Sequence, residues 1–210
     1  MSARIALAIS PSGRQNLLMP DAVPPAEPAT PVTVRAATTA DSAAIADIYR
    51  PYVLDTVISF EETPPTAAEI EARMLATPRL PWLVAVRADT IVGYCYASRH
   101  AARASYRWGA DVSVYLAPGE RGRGIGRLLY NELLPLVRSL GYVSIFAGIT
   151  LPNDASVGIH EAFGLTPVGV YRNVGFKHNA WRDVGWWQLT FTDPPVTPAE
   201  PQAWTPPDVT

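Results

Sequence analysis

One cysteine, Cys95, stands in this chain of 210 residues, which excludes an intramolecular disulfide. Its place inside an apolar stretch, with nothing nearby to depress a thiol pKa, fits a buried small hydrophobe in a reducing cytoplasm. Charge is also scarce. Asp, Glu, Lys and Arg make up 17% of the residues and the net charge is −2. There is no basic excess to hold a nucleic-acid backbone and no run of like charge. No apolar run approaches the ~18 residues of a membrane span. The first residues carry one arginine and a short apolar run that ends at Pro11-Ser12-Gly13, without the pattern of a signal peptide. The three histidines, His100, His160 and His178, lack ligand-like spacing, so no metal is expected.

Proline is abundant instead, and it marks the edges. Of 21 prolines, six lie in residues 1–31 and six in 193–210. Both ends are poor in periodic apolar residues and read as Pro-rich flexible extensions around one domain, 32–192. With 48% hydrophobic residues, that domain can build one core of ordinary size.

Within it, strands are expected at 32–35, 82–86, 91–98, 109–116, 144–150, 167–171 and 186–191. Ala88-Asp89-Thr90 reads as a hairpin turn. A first helix, capped by Thr39 or Asp41, carries Ile45, Ile48, Tyr49 and Tyr52 on one face, and Pro51 should bend or end it. A second helix opens at Pro65-Thr66 and runs to about Ala76. A third begins at Ile125, with Leu129, Leu133, Leu136 and Leu140 at helical spacing, and Pro135 should kink it. A fourth covers 154–163, capped by Asn153 or Asp154. Strands and helices neither alternate strictly nor segregate, so the fold class is α/β (α+β), with a mixed sheet flanked by helices.

The most informative motif is Arg121-Gly122-Arg123-Gly124-Ile125-Gly126, between the strand at 109–116 and the third helix. Its glycines let a ligand approach the backbone. The helix start supplies free N–H groups and positive potential suited to a diphosphate. The spacing is neither G-x-G-x-x-G nor a Walker loop, since no Gly-Lys-Ser/Thr is present. A glycine-rich turn without a ligand is the plain alternative.

Arg-x-x-Gly-x-Gly after a strand resembles the coenzyme A pyrophosphate loop of the GCN5-related N-acetyltransferases (GNAT). Further stretches extend the likeness over roughly residues 32–191: Ile48-Tyr49-Arg50-Pro51-Tyr52, Tyr94-Cys95-Tyr96-Ala97, Leu151-Pro152-Asn153-Asp154 with His160-Glu161-Ala162-Phe163-Gly164, and Gly175-Phe176-Lys177-His178 running on to Trp186-Trp187-Gln188. Together they are similar to the phosphinothricin N-acetyltransferases and to relatives acting on methionine sulfoximine and methionine sulfone. The resemblance implies the acyl-CoA N-acyltransferase (GNAT) fold, with a mostly antiparallel central sheet, and acetyl-CoA as co-substrate. It also implies a small amino-acid-like amine as acceptor and a homodimer joined around 181–187, in the cytoplasm, with no nucleic acid and no membrane as partner.

By that resemblance Asp111, one methylene shorter than the family's glutamate, accepts a proton from the amine, and the shorter reach favours a bridging water. The alternative is a strand-end carboxylate making hydrogen bonds. Backbone N–H groups near Val114, Tyr115 and Leu116 meet the oxyanion. Arg121, Gly122, Arg123, Gly124, Ile125 and Gly126 hold the diphosphate, with Asn153 and Ser156 on the pantetheine side. Asn153 can equally be a helix cap. His160 stands where many members carry a proton-donating tyrosine, or is a buried structural histidine. Arg103 with Tyr106 matches the carboxylate site of a zwitterionic substrate, and Ser113 a hydroxyl donor. Phe60, Tyr96 and Trp108 could wall a pocket or belong to the core. Ala101 replaces a second family cation, which favours an analogue other than phosphinothricin. Lys177 and His178 match a loop that shapes the site, or lie in a surface loop. The competing functions are acylation of a polyamine, a peptide N-terminus or an aminoglycoside, and non-catalytic binding of coenzyme A as a sensor. Arg103 argues against a cationic substrate, and Asp111 against a sensor.

Overall fold

A computed structural model describes residues 30–191 and 193–207. Apart from its last two residues, the expected N-terminal extension lies outside the described residues. The elements in chain order are β1 (Thr33–Ala36), α1 (Ser42–Leu54), α2 (Ala67–Met74), β2 (Trp82–Arg87), β3 (Thr90–Arg99), β4 (Gly109–Leu116), α3 (Ile125–Ser139), β5 (Ser144–Leu151), α4 (Asp154–Ala162), β6 (Thr166–Lys177) and β7 (Ala180–Thr190). Short 3-10 turns occupy Thr39–Asp41 and Ala104–Tyr106. One sheet forms in the order β1-β2-β3-β4-β5-β7-β6. Every neighbouring pair is antiparallel except β4 and β5, so the sheet is mixed and mostly antiparallel, flanked by helices as expected. Among the described residues no helix is long and apolar enough to cross a membrane.

Each face of the sheet has its own core. On one, Ile125, Leu129, Leu133 and Val137 of α3 are fully buried against Cys95, Val112 and Ile145, so the 3.6-residue spacing does describe a buried stripe. Burial pushes the Cys95 thiol up, which keeps it protonated and inert. On the other, α1 and α2 pack Ile45, Tyr49, Tyr52 and Ile70 onto Trp82, Val84 and Tyr94. The hairpin turn between β2 and β3 has Ala88 and Asp89 at φ 45° and 63°, the left-handed pair of a two-residue connection.

Several boundaries differ from the sequence expectation. Pro51 does not end α1, which continues to Leu54. Pro135 is likewise accommodated inside α3. Its missing N–H frees the carbonyl of Asn131, and both residues lie on the exposed side of the helix, open to solvent. The last two strands are far longer than 167–171 and 186–191. They form a hairpin of 12 and 11 residues, turning at His178 and Asn179 with φ 50° and 57°.

Residues 193–207, part of the extension expected to be flexible, make defined contacts with the domain. Backbone bonds run from Gln202 N–H to Leu140 O and from Trp204 N–H to Arg79 O, each 2.8 Å. Arg107 makes a two-pronged ion pair with Glu200 at 2.7 Å, and the Trp108 indole donates to Ala199 O. Trp204 is buried beneath the Arg79 guanidinium. Side chains on both sides of these contacts, Arg107, Trp108 and Arg79 on the domain and Glu200 and Trp204 on the segment, meet a stretch with no regular structure. Trp204→Ala is expected to destabilise the fold by about 3 kcal/mol, from the lost burial of a large aromatic. A lowered denaturant midpoint at unchanged slope checks it.

Candidate active site

The sheet opens where the chemistry is expected. β4 pairs with β3 from Ala110 to Leu116, but its parallel pairing with β5 spans only residues 109–111 and stops at Asp111 opposite Phe146. Beyond that point the two strands part. In an antiparallel ladder, alternate residues direct N–H and C=O to the same neighbour. Ala117 N–H bonds back to Val92 O on the β3 side, so Tyr115 also faces β3, while Val114 and Leu116 face the parted strands. The Leu116 N–H is met by the Tyr52 hydroxyl at 3.2 Å, and that hydroxyl donates to Leu116 O at 2.7 Å. Of the three amides expected to meet an oxyanion, Val114 is therefore the one left facing the cleft. Tyr115 is spent in the sheet and Leu116 on Tyr52.

A cavity of about 540 Å³ adjoins this fork. It is lined by Arg121, Gly122, Gly124, Ile125 and Gly126 from the start of α3, and by Asn153 and Ser156 from the start of α4. Gly122 and Gly124 have φ 76° and 78°, and a Cβ at either would meet nothing within 4 Å, so the loop offers bare backbone to the cavity. The first intrahelical bond of α3 runs from Leu128 N–H to Gly124 O, which leaves the N–H groups of 125–127 free for a ligand. Arg121 stays at the rim, 5.4 Å from the Tyr52 ring. Arg123 does not line the cavity. It is 60% exposed and lies 3.9 Å from Glu120. Asn153 caps α4 by accepting Ser156 N–H at 3.2 Å, which still leaves its NH₂ group unengaged. A second hollow of about 570 Å³ on the outer side of α3, around Leu134, Pro135 and Phe191, holds no carboxylate and lies away from the fork.

At the apex of the fork, Asp111 Oδ1 lies 2.6 Å from His100 Nδ1, and the two side chains are 28% and 21% exposed. Burial pushes the Asp111 carboxyl up to about 6, against the downward pull of the His100 hydrogen bond and charge. The imidazole stacks on Phe146 at 4.0 Å between centroids and meets the edges of Trp186 and Tyr106 at 5.8 and 6.1 Å. Sequence reasoning missed His100. The signal was there in the β3–β4 register, since Ser98 lies opposite Asp111 and His100, the first residue after β3, follows two positions on, within diagonal reach.

His160 is buried with both ring nitrogens engaged. Nδ1–H donates to Ser156 O at 2.7 Å, so Nε2 accepts from the Tyr130 hydroxyl at 2.9 Å. Burial lowers its pKa, which keeps the ring neutral. It ties α4 to α3, and both sequence alternatives, proton donor and structural histidine, have to work through these two bonds.

Tyr96 lies opposite Ser113 and stacks on Trp82 at 4.2 Å, with Ser113 at the mouth of the fork. Arg103 and Tyr106 are exposed on the turn that follows His100. Trp108 faces the tail rather than a pocket. The Phe60 ring rests on Gly175 of β6, where a Cβ would collide with it. Lys177 holds that contact in register: its buried ammonium donates to Val53 O and Ser59 O at 2.6 Å and to Glu61 O at 2.9 Å. It thereby locks the loop between α1 and α2 to the β6–β7 hairpin, and the surface-loop alternative falls away for Lys177. Lys177→Met is expected to destabilise the fold by roughly 1–3 kcal/mol, because three carbonyls lose their donor. Thermal unfolding read with and without the substitution checks it.

Among the described residues, no group of three or more His, Cys, Asp or Glu could hold a metal ion. Comparison with known proteins bears on this geometry. A family model described as an acetyltransferase (GNAT) domain matches residues 34–186. The chain is 40% identical over 173 residues to the phosphinothricin N-acetyltransferase of Streptomyces viridochromogenes, covering 81% of this chain and 94% of that one. It is 33% identical over 162 residues to the L-methionine sulfoximine/L-methionine sulfone acetyltransferase of Salmonella typhimurium, covering 75% and 94%. Among solved structures, a phosphinothricin acetyltransferase from Sinorhizobium meliloti in complex with AcCoA superposes with a TM-score of 0.72 at 34% identity, covering 85% and 94%.

Proposed function

Because this chain belongs to the GNAT acetyltransferase family, we propose that it transfers the acetyl group of acetyl-CoA to the α-amino group of a small amino-acid-like substrate. Phosphinothricin, methionine sulfoximine and methionine sulfone define the class, as the names of its relatives do. The observation that carries this reading is the parting of β4 and β5 after Asp111, which leaves the Val114 amide between a glycine-lined cavity and a half-buried carboxylate.

Each residue then has a task that its surroundings support. The α3 N-terminus and the bare backbone of 122–126 bind the diphosphate, and Arg121 adds charge at its edge. Asn153 and Ser156 hold the pantetheine arm. The thioester carbonyl lies at the fork, where Val114 N–H stabilises the oxyanion of a tetrahedral intermediate. Attack is direct, by the free amine, without a covalent enzyme intermediate. An α-ammonium is largely protonated at neutral pH, and Asp111 belongs to the group that removes its proton. Arg103 with Tyr106, and the Ser113 hydroxyl, orient the zwitterion, with Phe60 and Tyr96 as apolar walls. With Ala101 beside them the site has one cation fewer than phosphinothricin would use, so the sulfoximine and sulfone are the favoured substrates.

A homodimer belongs to the same proposal. The β6–β7 hairpin exposes Val168, Tyr171, Val174, Phe176 and Trp181, an apolar surface that a second copy would cover. Sedimentation velocity checks the mass.

The deciding experiment is an acetylation screen over amino-acid analogues and cationic amines, read by released coenzyme A thiol. Turnover on the sulfoximine or sulfone is expected to exceed that on any polyamine or aminoglycoside. The reverse order would overturn the substrate class.

A further inference from the structure

We propose that His100 is a catalytic residue of this acetyl transfer, taking the proton of the substrate ammonium on Nε2 while Asp111 accepts a hydrogen bond from Nδ1–H. The inference rests on the acetyltransferase reading and deepens it. Asp111 is one methylene too short to reach as far from β4 as a glutamate, and one of its oxygens is already committed to Nδ1 at 2.6 Å. The imidazole lies directly against the end of the shorter carboxylate.

Three features suit His100 to the task. Its Nδ1 is held by Asp111, which fixes the tautomer and leaves Nε2 as the acceptor. Among the described residues Nε2 meets no protein partner, and its side chain is 21% exposed, so Nε2 is open to solvent. The ring plane is fixed by Phe146 beneath it and by the edges of Trp186 and Tyr106. Phe146 is the last β5 residue paired with β4, which puts the imidazole at the point where the strands part. Asp111 on β4 brings a charge to the ring and Tyr106 in the turn after β3 a titratable hydroxyl, while Phe146 on β5 and Trp186 on β7 are neutral. The carboxylate thus stabilises the imidazolium as it forms.

The protons balance as follows. The ammonium gives a proton to Nε2, and the freed lone pair forms the C–N bond at the thioester carbonyl. The C–S bond then breaks, the departing thiolate takes the second proton shed by the nitrogen, and the imidazolium returns its proton to solvent.

His100→Gln separates catalysis from support, because a glutamine amide can still donate to Asp111 but cannot take up a proton near neutral pH. His100→Phe removes both functions. With the full chain, acetyl-CoA and the best amine from the screen, both variants are expected to lower kcat by about 100-fold at neutral pH. Acetyl-CoA affinity by calorimetry should stay within about twofold, since His100 does not line the glycine-walled cavity. If His100→Gln keeps wild-type kcat and the same acid limb of kcat/KM, His100 merely props Asp111 and the proposal is overturned, with the acetyltransferase reading intact. If the wild-type chain releases no thiol with any amine, that reading falls and His100's role with it.

Discussion

Asp111→Asn is expected to lower kcat by about 10²–10⁴-fold while leaving acetyl-CoA binding within a few-fold of wild type. The two effects separate because Asp111 sits at the apex of the fork, whereas the glycine loop and the helix starts that line the cavity lie beyond it. Asparagine keeps the size of the side chain and can still bond His100, so the fold should survive and the loss can be assigned to proton transfer. The pH dependence follows from the same environment. The working form of the site is deprotonated, and burial holds the Asp111 carboxyl up near about 6. As pH falls through that value the proton is retained, so kcat/KM should drop roughly tenfold for each further unit. In Asp111→Asn this acid limb should be lost or displaced. Steady-state rates between pH 5 and 9 measure it, and a variant with wild-type turnover would remove Asp111 from the mechanism.

The same raised pKa has a stability consequence. A carboxyl whose folded-state pKa lies above its usual 3.8 favours the protonated form in the fold. Its contribution is fully present below the unfolded value and lost as pH rises through about 6. At neutral pH the protein therefore holds an ionised carboxylate against a stability penalty, and Asp111→Asn should melt no lower than wild type, and higher at pH 8 than at pH 5 relative to it. A site that gains stability on losing activity is what a functional charge predicts.

How far the sequence reveals this site depends on the range of each interaction. The glycine loop and α3 were legible because their signals are local: closely spaced glycines, then apolar residues at helical spacing. The partial burial of Asp111 and the amide of Val114 depend on where β4 and β5 part, which no periodicity encodes. The β6–β7 hairpin was read too short because Val168, Val170, Val174 and Phe176 are exposed on a strand with no buried face to alternate against. What His160 bonds to depends on Tyr130, 30 residues away, whose hydroxyl occupies Nε2. The docked tail and the Lys177 clamp are contacts between segments more than 60 residues apart, beyond any local pattern.

Gly124→Val is expected to raise the acetyl-CoA dissociation constant at least about tenfold. Gly124 is the N-cap of α3 with φ 78°, a left-handed conformation that costs an L-residue roughly 1–2 kcal/mol and a β-branched one more. Valine resolves that strain by moving the backbone, and the free N–H groups of 125–127 move with it. Whatever part of the side chain stays in place projects into the cavity, since a Cβ there meets no protein atom within 4 Å. Both routes damage the anion cradle, and neither touches the two cores. The melting temperature should therefore shift by a few degrees while the affinity falls by at least 1.4 kcal/mol, the equivalent of tenfold. Gly124→Ala, with the same φ but a smaller protrusion, should fall between the two. Titration calorimetry of wild type and both variants tests the order, and wild-type affinity in Gly124→Val would mean that the diphosphate binds somewhere other than this loop.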